Sequence, residues 1–489
     1  MRLGTAQLQM QAAQAVRAGN ARSGFATAFI PYATTVILWA LFVRFDWTVA
    51  LVLGLVNSFI CVRQIVLASL DSNSGPVALT FWPFVFVWIC VGSIVQLSLG
   101  KLPWRDSGVE YLYPWAQALL TLAMLAHIVG GHVANRRPIV LPDPMPRLPH
   151  RPRVLLLVIL AFALIPTVLA VSGGLQGRFT ELNTFATGLE AAGASDDSVQ
   201  LFLVSRLPQA VALVLGYATA RAYVLRKSAS VSRRPWLLLN LLIAVTFLVV
   251  LSNPFSNSRY VAFSSFLGLL LGFVRLDSSK LRAWFAAVFT SGLLILYPLA
   301  SWFKGGRTSV ATGIDAFTGI DFDGFQLTVN TLYFVQQRGF AFGEHILAAV
   351  GYFIPRSFWT TKAIPASFDI AAERGYHFQN LSLPLWSEFY LDLGLLGMFV
   401  AMFAYGWFSK RLDRRYSSQC GSLSAHLAVL FAVAQLGLLR GPLGGSVVFF
   451  GTVLLLGIVT FWKTENQRPA GRRPRIKGAK TRMPRDEVG

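Results

Sequence analysis

Long apolar runs separated by short polar segments cover most of the 489-residue chain. A helix that crosses a membrane needs roughly 20 mainly apolar residues, and this pattern predicts about twelve such spans. We therefore predict an all-α, polytopic membrane protein. The predicted spans are residues 25–45, 47–68, 77–99, 109–134, 154–171, 201–223, 236–251, 260–274, 284–302, 385–408, 423–439 and 443–462.

The pattern of spans is interrupted once, between the ninth and the tenth, by residues 303–384. Such a long connection is too long for a tight turn and predicts a large functional loop. Apolar positions at helical spacing predict an amphipathic helix over residues 324–337 that lies on the membrane surface, with Asp323 and Gln326 as a capping box at its start. Residues 346–354 are apolar but too short to span, so we expect them to dip into the lipid headgroups.

The chain therefore divides into five parts by pattern alone. They are a polar amino-terminal segment (1–24), spans one to nine (25–302), the large loop (303–384), spans ten to twelve (385–462), and a basic tail predicted to be disordered (463–489).

Composition supports a membrane location. The chain is 54% hydrophobic and only 13% charged, with a mean hydropathy of +0.55, whereas a soluble protein has about 25% charged residues. These values exclude an ordinary soluble enzyme. The three cysteines, Cys61, Cys90 and Cys420, are scattered along the sequence, and we expect neither a disulfide framework nor a metal site from them.

The net charge of +21 helps to predict how the chain is oriented in the membrane. In a soluble protein such a charge would suggest nucleic-acid binding. Here the basic residues concentrate in alternate loops, whereas most acidic residues fall in the others, and cytoplasmic loops of membrane proteins are enriched in Lys and Arg. We therefore predict that both termini are cytoplasmic, that residues 303–384 lie outside, and that the chain binds no nucleic acid. The basic segments are 136–153, 226–234, 275–282, 410–415 and 463–485.

Several cations lie at the predicted outer ends of spans, where charge near the membrane is expensive and often functional. Arginine side chains match phosphate oxygens with two hydrogen bonds, so several that converge would hold a diphosphate. The alternative is that each cation only anchors a helix end by reaching into the headgroups. The candidates are Arg259, Lys304, Arg307, Arg356 and Arg440.

Candidate proton carriers lie on the same predicted side. Glu388 and Asp392 are four residues apart on one helical face, where a carboxylate can take a proton from a sugar hydroxyl or orient an arginine. The alternative is simple stabilisation by the amino-terminal end of the helix. Asp321 and His377 are further candidates for proton transfer, although a lone histidine is more often structural. No nucleotide-binding motif or metal-ligand spacing is present, so we expect no cofactor and no metal.

Four stretches resemble motifs of the Wzy-type polymerases, which join oligosaccharide repeat units into O-antigen, capsule or exopolysaccharide. They are residues 321–325, 353–362, 380–382 and 388–397. The resemblance implies a multi-pass protein of the bacterial inner membrane. It also implies an enzyme that transfers a growing chain from polyprenyl diphosphate to a new lipid-linked repeat unit on the outer face, with a flippase and a chain-length regulator as possible partners.

The resemblance gives the candidate residues their roles. Arg356, with Arg259 and Arg440 as weaker candidates, would neutralise the diphosphate, and Glu388, His377 or Asp321 would activate the acceptor hydroxyl. The remaining residues implied are Lys304, Arg307 and Lys362 for the diphosphate, and Trp359 and Asn380 for sugar.

Three alternatives remain open: an O-antigen ligase, a transporter or flippase of lipid-linked sugars, and a structural scaffold of an assembly complex. Ligases often have a histidine directly followed by asparagine. Here Phe378 and Gln379 separate His377 from Asn380, which favours a polymerase. Transporters usually place their polar groups at mid-membrane in repeated halves, whereas this chain concentrates unusual residues in one outer loop.

Overall fold

A computed structural model describes most of the chain between residues 48 and 462. The described residues are 32–33, 48–104, 108–136, 151–172, 174–179, 202–228, 235–253, 255, 257, 259–296, 298, 313–378, 381–418 and 421–462. The amino-terminal segment, nearly all of the predicted first span and the basic tail therefore lie outside the described residues.

The described part of the chain is all helical. Eight of its helices (α1–α4, α8 and α12–α14) are long and apolar enough to cross a membrane, and α6 and α7 are shorter apolar helices. The predicted all-α architecture is confirmed in this part, and each predicted span within it coincides with a helix. The helices are α1 (Val49–Leu70), α2 (Pro76–Leu99), α3 (Glu110–Arg136), α4 (Arg151–Val171), α5 (Leu207–Ser228), α6 (Pro235–Leu251), α7 (Arg259–Phe273), α8 (Ser279–Leu296), α9 (Gly324–Arg338), α10 (Glu344–Val350), α11 (Ala366–Glu373), α12 (Leu385–Ser418), α13 (Leu423–Arg440) and α14 (Leu443–Phe461).

Helix α2 lies at the centre of the bundle and is almost entirely buried. It packs against α1, α8, α12 and α13. Hydrogen bonds inside this core link α2 to α13, where the Thr80 hydroxyl donates to the carbonyl of Ala432 (3.0 Å) and the Gln435 amide donates to the carbonyl of Val77 (3.0 Å). Pro83 cannot donate a backbone hydrogen bond, and a π-helical turn, Phe86–Val91, follows it.

Charged residues mark one end of the bundle, which we call the basic end. Asp413 accepts hydrogen bonds from the amides of Val77 and Ala78 (2.9 Å each), so that a carboxylate caps the amino-terminal end of α2. Lys410 forms an ion pair with Asp71 (2.6 Å), and Arg414 donates to the carbonyl of Ala134 at the end of α3 (2.6 Å). The opposite end carries α9–α11 and is called the loop end.

Helices α3 and α12 form the most extensive helix contact in the described residues. Two glycines bring their backbones together: a Cβ atom on Gly130 would lie 2.0 Å from the carbonyl oxygen of Phe403, and one on Gly406 would lie 2.0 Å from that of His127. Small residues allow this close approach, which is typical of helix pairs in membranes. The crossing therefore requires glycine at both positions.

Helix α12 extends further than predicted. The expected basic loop at residues 410–415 is wrong, because these residues continue the helix to Ser418. The helix is interrupted instead at Gly394, whose φ of +68° and ψ of −172° are not helical. Residues 385–393 thus form a separate short helix, and this piece carries Glu388 and Asp392.

Helix α9 has nearly the predicted bounds but not the predicted environment. It does not lie on a surface, because its polar residues Gln326, Thr328, Asn330 and Thr331 are buried together with its apolar ones. The capping box is also wrong: Gln326 pairs with the backbone of Trp104 (2.7 and 2.9 Å), and the Asp323 side chain forms no cap hydrogen bond. Hydrogen bonds within the protein replace water for this polar face.

The segment around α10 has the exposed apolar side chains that a dip into the headgroups requires. Leu347, Val350, Phe353 and Phe358 are all largely exposed. The predicted membrane contact of residues 346–354 therefore remains a prediction that this surface favours.

Two of the three cysteines are neighbours in the fold, although they are scattered along the sequence. The Sγ atoms of Cys61 and Cys90 are 3.8 Å apart in the apolar core, and the Cys61 thiol also contacts Sδ of Met124 (3.5 Å). Both thiols are free and buried. The third, Cys420, lies outside the described residues.

Candidate functional site

A buried histidine joins three helices at the loop end. Nδ1 of His345, on α10, lies 2.6 Å from Asp392 of α12, and its Nε2 lies 3.2 Å from Asp369 of α11. The second oxygen of Asp392 accepts a hydrogen bond from the amide of Ile346 (2.7 Å) at the start of α10. We call His345, Asp369, Asp392 and Glu388 the His345 cluster.

Glu388 lies one helical turn before Asp392 and is fully buried. Its Oε2 accepts a hydrogen bond from the amide of Leu443 (2.7 Å), the first residue of α14, so the positive end of that helix stabilises the carboxylate. Its Oε1 has no hydrogen-bond partner among the described residues. Because an unsatisfied buried oxygen is costly, this atom is suited to accept a proton or hydrogen bond from a ligand.

A cavity of about 10 Å³, with room for one water-sized group, is lined by both this carboxylate and a cation. Glu388, His345, Tyr352, Lys362 and Gly444 are among the residues that line it. Lys362 is buried, and its ammonium donates to the carbonyls of Tyr352 (3.1 Å) and Ile354 (3.3 Å). These hydrogen bonds reduce the cost of burying the ammonium, and a positive charge in its wall makes the cavity more favourable for an anionic group.

His345 adds a second positive charge. Burial by itself would lower the pKa of His345, but the hydrogen bonds with Asp369 and Asp392 outweigh burial and raise this pKa to about 9. The imidazole is therefore protonated at neutral pH, and its charge is balanced by the carboxylates of Asp369 and Asp392. Glu388, which keeps a carboxylate oxygen available, is the better candidate for the proton acceptor.

The charge of His345 predicts a pH-dependent stability. A histidine whose pKa is higher in the folded state stabilises the fold below its unfolded pKa, near 6.5, and loses this effect as the pH rises through about 9. We expect a loss on the order of 3 kcal/mol over this interval, measured as a falling thermal unfolding midpoint of the purified protein. His345→Gln should remove most of this pH dependence, whereas His377→Gln, at an exposed position, should keep it. An unchanged pH dependence in His345→Gln would contradict this assignment.

A second group of polar residues lies under the loop end. Asp321 pairs with Arg440 (3.6 Å), and the buried carboxylate of Asp323 accepts hydrogen bonds from the Trp104 indole (3.1 Å) and the Ser382 hydroxyl. Burial raises the pKa of Asp323 to about 6 despite these hydrogen bonds. This group joins the loop after α2 and the end of α13 to the start of α9 and to Ser382, which precedes α12.

The predicted site residues are only partly brought together. Glu388 and Lys362 meet at the cavity, and Asp321 meets Arg440 elsewhere. Arg356 donates to the carbonyls of Lys362 (2.7 Å) and Ala363 (3.3 Å), and this arrangement holds its own loop together.

Of the remaining predicted residues that the structure describes, His377 and Trp359 are not among those that line this cavity. His377 is exposed beyond α11, and Trp359 is half-buried, with its ring where a Cβ of Gly351 would lie. Arg259 begins α7, and its side chain is outside the described part of the structure, as are Lys304, Arg307 and Asn380.

Sequence reasoning does not find His345 or Asp369. His345 directly precedes the apolar residues 346–354. A histidine at the start of a helix too short to span the membrane is the one feature of the sequence that could have indicated its role. Asp369 lies in α11, and no basic residue three or four positions away would indicate that it forms part of a site. Both become recognisable only when the fold places them beside α12.

Comparison of the chain with protein-family models, with curated proteins and with solved structures finds no match. The function is therefore inferred from the site geometry and from the resemblance of the sequence motifs.

Proposed function

We propose that the chain is a glycosyltransferase of the bacterial inner membrane that polymerises polyprenyl-diphosphate-linked oligosaccharide repeat units. The observation that carries the proposal is the cavity that a buried carboxylate with an unpaired oxygen, Glu388, shares with a buried ammonium, Lys362. Transfer from a glycosyl diphosphate needs these two elements: a proton acceptor for the nucleophile and positive charge for the leaving group.

The reaction follows from these positions. The hydroxyl oxygen of the acceptor sugar attacks the anomeric carbon of the donor, and the bond between that carbon and the diphosphate oxygen breaks. Glu388 takes the hydroxyl proton, while Lys362 stabilises the charge that develops on the departing diphosphate. The products are a longer lipid-linked chain and free polyprenyl diphosphate.

The proposed topology has about twelve spans, with both termini in the cytoplasm and residues 303–384 outside. In its support, the basic end of the bundle carries Arg275, Lys280, Lys410 and Arg414, whereas the His345 cluster lies at the loop end. This arrangement would expose the site to lipid-linked units after they have crossed the membrane.

The test is reconstitution of the purified protein in vesicles with a lipid-linked repeat unit, followed by separation of products by length. We expect oligomers of increasing length. Extension of a lipid A core acceptor without chain growth would instead indicate a ligase. Transfer of units across the bilayer without new glycosidic bonds would indicate a transporter.

Lys362 provides a second test of the proposed chemistry. We expect Lys362→Met to lower the rate of polymerisation about 10²- to 10³-fold, the usual effect of losing one group that stabilises transition-state charge. Lys362→Arg retains the charge and should recover much of the rate, while Lys280→Met, at an exposed position of the basic end, should behave as the unmodified protein. Equal rates for the Met and Arg variants of Lys362 would show that its charge has no role.

A further inference from the structure

A large cavity in the described residues lies at the basic end, away from the His345 cluster. It has a volume of about 490 Å³, and α1, α2, α3 and α12 form its walls. Most of the wall is apolar and includes Leu67, Phe81, Trp82 and Ile128. This size and character are typical of sites that bind small molecules or lipid chains. We call it the His127 cavity.

Three polar side chains in its lining have unsatisfied atoms. Neither ring nitrogen of the buried His127, nor Nε2 of Gln64, nor the hydroxyl of the buried Ser409 has a hydrogen-bond partner among the described residues. The His127 ring is fixed by stacking on Phe81, with ring centroids 4.2 Å apart and an interplanar angle of 5°. Buried polar groups are rarely left unpaired, so several around one cavity point to a ligand that pairs with them.

The hydrogen-bonding properties of these atoms indicate which kind of ligand would fit. The Gln64 amide nitrogen only donates, the Ser409 hydroxyl can donate, and a neutral His127 offers one donor and one acceptor. Three donors against an apolar wall suit a largely apolar molecule that presents carbonyl oxygens. Ester carbonyls of a glycerolipid meet this requirement, whereas the hydrocarbon chain of a polyprenyl carrier has no acceptor.

The lining also reaches charged groups at the basic end. Lys410 lies there with its ammonium 2.6 Å from Asp71 and 3.4 Å from the Ser74 hydroxyl. Asp413 is also part of the lining, so one ammonium and two carboxylates suit a zwitterionic headgroup, whose amine pairs with a carboxylate while its phosphate lies beside the ammonium.

We propose that the His127 cavity binds one glycerophospholipid of the surrounding leaflet. Its acyl chain lies along the apolar wall, its ester carbonyls accept hydrogen bonds from His127, Gln64 and Ser409, and its phosphate lies beside Lys410. This site is independent of the proposed glycosyl transfer, since it lies at the opposite end of the bundle and uses none of the residues of the His345 cluster.

Native mass spectrometry of the protein purified in mild detergent tests the proposal. The unmodified protein is expected to retain one adduct with the mass of a phospholipid. Gly131→Leu should lose it, because a Cβ at Gly131 would lie 3.8 Å from its nearest neighbours and the rest of the side chain would extend into the cavity. A double variant, Gln64→Leu with His127→Leu, keeps the apolar volume and should lower occupancy at least about tenfold by removing hydrogen bonds.

Gly451→Leu is the matched control, since nothing lies within 4 Å of a Cβ at that position on α14. It should retain the adduct, and circular dichroism of each variant separates lost binding from lost folding. If Gly131→Leu is misfolded, the double variant decides the outcome by itself. Absence of the adduct from the folded, unmodified protein would overturn the proposal, as would an equal adduct in folded Gly131→Leu. An adduct with the mass of a polyprenyl phosphate would overturn the assignment to a phospholipid.

Discussion

Replacing Glu388 by glutamine is expected to lower the rate of polymerisation 10²- to 10⁴-fold, the usual range for loss of a general base. Glutamine has nearly the same shape, and its carbonyl oxygen can still accept the hydrogen bond from the amide of Leu443. The fold should therefore be retained while the proton acceptor is lost. The measurement is the rate at which reconstituted protein extends lipid-linked repeat units.

Glu344→Gln is the matched control for this experiment. It makes the same chemical change on α10, one residue before His345, but at an exposed position. We expect its rate to equal that of the unmodified protein. If Glu388→Gln is also fully active while correctly folded, Glu388 is not the proton acceptor and the proposed reaction loses its base.

The second large effect is expected on stability rather than activity. Gly130→Ala would place a methyl group 2.0 Å from the carbonyl oxygen of Phe403, a backbone atom that cannot rotate away. Helices α3 and α12 would have to separate, and we expect a loss of about 4 kcal/mol or more, or no recoverable folded protein. The thermal unfolding midpoint in detergent measures it.

The neighbouring glycine provides the control. A Cβ on Gly131 would lie 3.8 Å from its nearest atoms, an ordinary contact, so Gly131→Ala should leave the midpoint nearly unchanged. Alanine also favours a helix more than glycine does, which adds a small stabilisation. Equal midpoints for the two alanine variants would mean that the helices do not approach each other at Gly130.

The sequence predicts the helices well because a long apolar run has few alternatives to a helix in a membrane. The prediction from sequence fails where polar residues form their hydrogen bonds inside the protein. The sequence predicts that the polar face of α9 is in contact with water. Gln326 on this face instead forms hydrogen bonds with the backbone of Trp104, more than 200 residues earlier in the chain. No local pattern contains that partner.

The candidate site likewise contains one residue that the sequence predicts and others that it does not. Glu388 is predictable because a charge within an apolar segment is rare and costly. His345 and Asp369 are not, because their contacts with α12 are tertiary. The charge of Arg356 predicts that it binds the diphosphate, and the sequence does not show that its guanidinium also donates to the carbonyls of Lys362 and Ala363 in its own loop. Which donors remain available to a ligand depends on the folded backbone.

The non-helical backbone at Gly394 divides α12 into two helices that are not rigidly connected. The short piece before the break carries Glu388 and Asp392, and the long piece after it carries Gly406, Ser409 and Asp413. No regular helical backbone runs through the glycine, so a change in tilt of the short piece is not transmitted rigidly to the crossing with α3. Binding of a bulky ligand at the loop end, as the proposed function requires, would therefore leave the geometry of the tightly packed centre of the bundle unchanged.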